Sequence, residues 1–170
     1  MDTEAPVADL ASATVGGERV LLVLDHEGNV CAWRGLPDTP ELVGGARAFG
    51  ARYVLQSDDG TIWTVADGEA RAWGLDDGGL ALREVYAHAD ISTGAVWCPC
   101  ARGIRGVFGM DQGGVRIFDV PSKRSASLVI NKHARLLALS SRGEFAILGD
   151  HTEVHLVQLD CAMARAKASP

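Results

Sequence analysis

The chain has 170 residues, a formal net charge of -6 and a pI near 5.3. That length suits one domain, burying roughly two-thirds of its unfolded surface. Its 16 Lys and Arg lie among 22 Asp and Glu, which argues against a phosphate backbone as principal ligand, since that needs clustered cations that release counterions. Lys123, Arg124, Lys132 and Arg135 are the nearest approach to a basic face and read as solvated charges. Residues 1–6 are acidic and lack the apolar run of a secretory signal, and apolar runs such as residues 20–24 are too short for a membrane helix. Cys31, Cys98, Cys100 and Cys161 make no dense disulfide framework, so an intracellular, reducing compartment is expected.

Glycine is abundant, at 20 residues, which implies many tight turns and hence many short strands rather than a few long helices. In chain order, a first unit over residues 10–46 reads ASATVGGE, RVLLVLDHEG, NVCAWRGLPD and PELVGGA. A second, over 47–88, is the sharpest: YVLQSDDG, TIWTVADG, EARAWGLDDGG and LALREVYAH, punctuated by Asp59-Gly60, Asp67-Gly68 and Asp77-Gly78. Asp-Gly between alternating apolar segments is a strong hairpin signal because the turn needs positive φ. A third unit over 89–133 reads STGAVWCPCARG, IRGVFGMDQGG, VRIFDVPS and RSASLVINKH. A fourth over 134–160 reads ARLLALSSRGE, FAILGDHTE and VHLVQLD, and stops after its third segment. Residues 1–9 are expected to be disordered or to supply a closing strand, and 161–170 to be a flexible tail.

Trp33, Trp73, Phe118 and Val157 stand on the third segments, at intervals of 40, 45 and 39 residues. A four-stranded unit recurring every ~40–45 residues is the spacing of a propeller blade. The residues also carry a family likeness. Ala87-His88, the segment Ala95-Val96-Trp97-Cys98-Pro99 and the segment Val115-Arg116-Ile117-Phe118-Asp119 resemble the Gly-His, Ser-Pro and Trp-Asp landmarks of a WD40 repeat. The resemblance covers residues 10 to 160, most specifically in the two middle units. It implies an all-β propeller of about four four-stranded antiparallel blades. It also implies a structural network of Thr64, Asp67, Trp73 and His88, with the His donating to a buried carboxylate. Elsewhere the pattern departs: Glu27 stands where the Asp before Trp33 belongs, and Asp111 and Asp150 are each one position early.

Apparent chemical motifs read as structure. Cys98-Pro99-Cys100 could hold zinc with His88 or His133, but one intervening residue is fewer than the two to four of structural zinc sites. Asp58-Asp59 and Asp76-Asp77 lead straight into Gly60 and Gly78, as turns do, without the alternating acids of a calcium loop. Gly44-Gly45 and Gly113-Gly114 lack the Lys of a phosphate loop, and there is no nucleophile elbow. His26 and His151 fall in turns, and His155 has no ligand pattern beside it. The four Trp are expected in the core. No catalytic residue, metal or cofactor is therefore expected.

The function this implies is a non-catalytic scaffold or adaptor that binds other proteins within a complex. The alternatives are a non-catalytic propeller subunit of a transferase or ligase complex, or a propeller of the chromosome-condensation-regulator type, to which HEGNVCAW and DDGTIWTV are similar. Because the fourth unit ends apolar and uncapped, a protein partner is expected to cover or complete its open edge. A small ring closed by residues 5–10 is the competing expectation.

Overall fold

The computed structural model describes residues 5–76, 79–100, 103–111, 113–131 and 133–159. Lys132, the Asp77-Gly78 turn, Asp160 and the 161–170 tail lie outside the described residues. Among the described residues every regular element is a β-strand, and the strands form antiparallel meanders in chain order.

The first sheet comprises β1 (Val7–Val15), β2 (Glu18–Asp25), β3 (Asn29–Arg34) and β4 (Glu41–Arg47). Gly16 and Gly17 join β1 to β2 with φ of 58 and 86 degrees, the double positive φ that a two-residue hairpin demands. On β2 the even positions Val20, Leu22 and Leu24 are buried while Leu21 and Val23 are half-buried, as strand alternation requires. The second sheet comprises β5 (Tyr53–Gln56), β6 (Ile62–Ala66), β7 (Glu69–Asp76) and β8 (Gly79–Ala87). In both sheets the register slips at the third-strand Trp: Trp33 pairs with Leu42 and Trp73 with Leu82, each beside a skipped residue. The same irregularity at the same place marks the two sheets as copies of one unit.

These two sheets form one compact unit that runs to Thr93. Its core joins Ala13, Val20, Leu22, Leu24, Val30 and Ala32 to Val54, Ile62 and Trp73. Side chains also stitch β1 to β5. The Val54 N–H donates to Asp9 Oδ2 (2.8 Å), the Thr14 N–H to Gln56 Oε1 (2.7 Å), and Gln56 Nε2 returns a bond to the Thr14 carbonyl (3.0 Å). That stitching corrects one expectation. Residues 7–9 are neither disordered nor a strand lent to the last unit; they open β1, where Asp9 anchors them and Val7 pairs with Asp25.

The second compact unit holds the remaining sheets. Its four-stranded sheet comprises β9 (Val96–Cys100), β10 (Gly103–Gly109), β11 (Val115–Asp119) and β12 (Arg124–Leu128). Its three-stranded sheet comprises β13 (Arg135–Leu139), β14 (Phe145–Gly149) and β15 (Val154–Gln158). Val107, Val115 and Ile117 pack against Ala146, Leu148 and Leu159. Trp97 lies edge-on to Phe108, with centroids 6.5 Å apart, and a Cβ on Gly106 would come within 2.9 Å of its ring.

Candidate functional site

The polar side chains singled out in the sequence mostly bond to turns. Within the second sheet the Trp73 indole N–H donates to Thr64 Oγ1 at 2.9 Å, both residues buried. The Trp63 indole donates to Ser57 Oγ at 3.0 Å, and that hydroxyl donates onward to Asp59 Oδ1 at 2.6 Å. Asp67 sits exposed on the β6–β7 turn, where Oδ1 accepts from the Thr93 N–H (2.6 Å) and hydroxyl (2.8 Å). His88 lies on the segment that this staple holds. Its N–H donates to the Gly68 carbonyl (3.0 Å), its Nδ1 accepts the Asp90 N–H (3.1 Å), and its side chain is 38% exposed. Of the four residues singled out, Thr64 and Trp73 are thus bonded directly, while Asp67 and His88 clamp the chain that follows β8.

The turn acid of the first sheet is Asp25 rather than a residue at position 27. Asp25 is 1% exposed. Its Oδ1 accepts the N–H groups of Glu27 (2.9 Å) and Asn29 (2.8 Å), and its Oδ2 accepts from Asn29 Nδ2 (2.7 Å). Burial pushes this carboxyl up, but the bonds from Asn29, Glu27 and Gly28 outweigh it and hold it below the usual carboxylate range. Asp150 does the same between β14 and β15. It accepts from the Thr152 N–H and hydroxyl, the Glu153 N–H and Asn131 Nδ2, and is held well below that range, Thr152 first among the causes. The signal for both was present in the sequence as Asp-x-x-x-Asn and Asp-x-Thr, the local patterns of a side chain bonding its own turn.

Among the described residues the thiols join no group of metal-ligating side chains. Cys98 is buried, and burial pushes its thiol up, partly opposed by Arg105. Cys100 points elsewhere, its Sγ donating to Asp119 Oδ1 at 3.8 Å. Among the described residues no three His, Cys, Asp or Glu side chains converge as metal ligands would, and no helix is long and apolar enough to cross a membrane. The basic residues are split: Lys123 stands in the turn before β12, Arg124 opens β12, and Arg135 opens β13 in the other sheet.

Two surfaces of the second unit remain. One is an open cleft of about 810 Å³ where the β10–β11 turn, the β12–β13 loop and the β14–β15 turn meet, lined by Asp111, His133, Arg135, Asp150 and His151. The other is the three-stranded sheet itself. Among the described residues β15 pairs with β14 on one side and with no strand on the other. Val154 and Leu156 on β15 are 70% and 72% exposed, and Leu137, Phe145 and Ile147 are exposed on the same sheet. Strand β15 carries no Lys or Pro, the residues that commonly blunt an edge.

No protein-family model and no curated protein sequence matches the chain. The crystal structure of Saccharomyces cerevisiae Sqt1 is similar in fold, with a TM-score of 0.55 and 8% identity over 93% of this chain and 61% of that one. The chain thus spans about three-fifths of the length of that structure. At such low identity the likeness concerns architecture alone, and with the repeated meanders it shows an all-β fold of the β-propeller class.

Proposed function

We propose that this chain is a non-catalytic scaffold within a multi-protein complex, and that the three-stranded sheet is its docking element. One observation carries the reading: strand β15 is the last strand of its sheet among the described residues, and it carries alternating exposed apolar side chains. An extended segment of a partner can add to such an edge, its backbone bonds giving affinity and its alternate side chains giving specificity. The partner strand would stand where the other three sheets hold their fourth. Thr64, Asp67, Trp73 and His88 then serve as internal structure that holds the blade, with no role in ligand binding. The thiols of Cys31 and Cys98, in no disulfide among the described residues, accord with a reducing cytoplasmic or nuclear setting.

The test is affinity purification of the full chain beside V154K/L156K, whose positions are exposed and so spare the core. The reading expects defined partners recovered by the wild type and lost by a variant that melts at the same temperature. Identical recovery by both would overturn it.

A further inference from the structure

Strand β12 lies at the edge of its sheet: among the described residues it pairs with β11 and with no other strand. At five residues it is also the shortest fourth strand, against seven in β4 and nine in β8. The strand ends at Leu128, so Ser127 sits one residue from its end. A short strand bonded on one side frays at such an end with little cost to the rest of the sheet. Its backbone is already extended, a form in which peptides lie along binding clefts.

The side chains around Ser127 are unevenly charged. Alternation turns Ala126 into the protein and leaves Ser125 and Ser127 exposed. The register sets Ser127 directly opposite Arg116 of β11, which is exposed on the same face. Such cross-strand neighbours have Cβ atoms about 5 Å apart. No Asp or Glu stands on that face of β11 or β12, because Asp119 shares the opposite face with Ile117. Ser122, in the preceding turn, donates its hydroxyl to Asp119; among the described residues no such bond ties the Ser127 hydroxyl. Lys123 and Arg124 stand four and three residues before Ser127, two cations on the N-terminal side of an available hydroxyl.

We propose that Ser127 is a phosphorylation site, modified by a protein kinase that selects basic residues upstream, and that Arg116 holds the phosphate once it is in place. Carboxylates lining the substrate cleft of such a kinase pair with Lys123 and Arg124. The Ser127 Oγ attacks the γ-phosphorus of a nucleoside triphosphate. An Oγ–P bond forms, the bond from that phosphorus to the β–γ bridging oxygen breaks, and the nucleoside diphosphate leaves. The hydroxyl proton passes to the kinase's catalytic carboxylate. The product carries about two negative charges opposite a guanidinium, so charge-assisted hydrogen bonds tie β12 to β11. The site lies on a different sheet from the docking element proposed above and does not depend on it.

The test is incubation of the full chain with magnesium ATP and a Ser/Thr kinase of that specificity, followed by peptide mapping by mass spectrometry. Phosphate is expected on Ser127 and is lost in Ser127→Ala. In the Lys123→Ala/Arg124→Ala chain the rate at limiting protein substrate should fall about tenfold or more, as the loss of charge-assisted bonds implies. Thermal melts show that each variant is folded, and melts before and after modification test Arg116. Phosphorylation should raise the midpoint of the wild type and fail to raise that of Arg116→Ala. A folded wild type that takes up no phosphate, or takes it up only on Ser122 or Ser125, overturns the site. An unchanged rate in the double variant overturns recognition through the two cations. An equal rise in midpoint with and without Arg116 overturns its role as the phosphate's partner.

Discussion

Trp73 and Thr64 face each other inside the second sheet, the indole N–H donating to the threonine hydroxyl across 2.9 Å with both side chains buried. Replacing Thr64 by Val keeps the shape and removes the acceptor. The indole N–H is then left buried and unpaired, at a cost of about 1–3 kcal/mol. A urea series should show the midpoint falling with an unchanged m-value. No shift in midpoint would mean that the bond contributes nothing net.

Asp25 makes folding sensitive to acid. Its folded pKa lies below the ordinary carboxylate value, so the stabilisation is fully present above the unfolded pKa of ~3.9 and is lost as pH falls through the folded value. Asp59, Asp67 and Asp150 are shifted the same way. The urea midpoint should hold between about pH 7 and 5 and drop steeply below about pH 4. In Asp25→Asn that drop should be shallower, with lower stability at neutral pH. A variant whose acid limb matches the wild type would show that Asp25 contributes nothing to it.

Gly28 follows the Asp25 turn with φ of 83 degrees, and a Cβ there would lie 2.5 Å from the Ala48 carbonyl oxygen. That same turn accepts from Ala48, whose N–H donates to the Gly28 carbonyl at 2.7 Å. Gly28→Ala adds both strained backbone and a clash with main chain, so a loss of about 2 kcal/mol or more is expected. Gly60 has a similar φ of 85 degrees and open space around it. Its Ala variant isolates the backbone cost and should lose about 1 kcal/mol. Equal losses at the two sites would show that the Ala48 contact is irrelevant.

Cys98 should be inert in the native protein. It is buried and its thiol is pushed up by that burial, which leaves little thiolate to react. A maleimide or disulfide reagent at neutral pH should label it only at the rate of unfolding, and denaturant should expose it at once. Rapid labelling of Cys98 in buffer, shown by peptide mapping, would contradict the burial.

Local sequence chemistry was enough to place the strands. The alternation in RVLLVLD and VHLVQL and the Gly-Gly and Asp-Gly turns act over a few residues, so the meanders and the third-strand positions of Trp33, Trp73, Phe118 and Val157 were legible in advance. Spacing alone pointed to Glu27 as the first turn acid; the actual acid is Asp25, because a carboxylate must reach two N–H groups at once, and only the turn's path sets which position does. The basic residues around position 130 looked contiguous in sequence, yet Lys123 and Arg124 stand at the start of β12 and Arg135 on β13 of a different sheet. Residues 7–9 read in sequence as disordered or as a closing strand because the bonds that hold β1, Asp9 to Val54 and Thr14 to Gln56, join positions more than forty apart in the chain. Which faces remain exposed was likewise decided only in three dimensions. Leu22 and Leu156 are the same residue type on similar alternating strands, but one is fully buried and the other 72% exposed. Alternation assigns a side chain to a face; only the packing of one sheet against another determines whether that face meets protein or water.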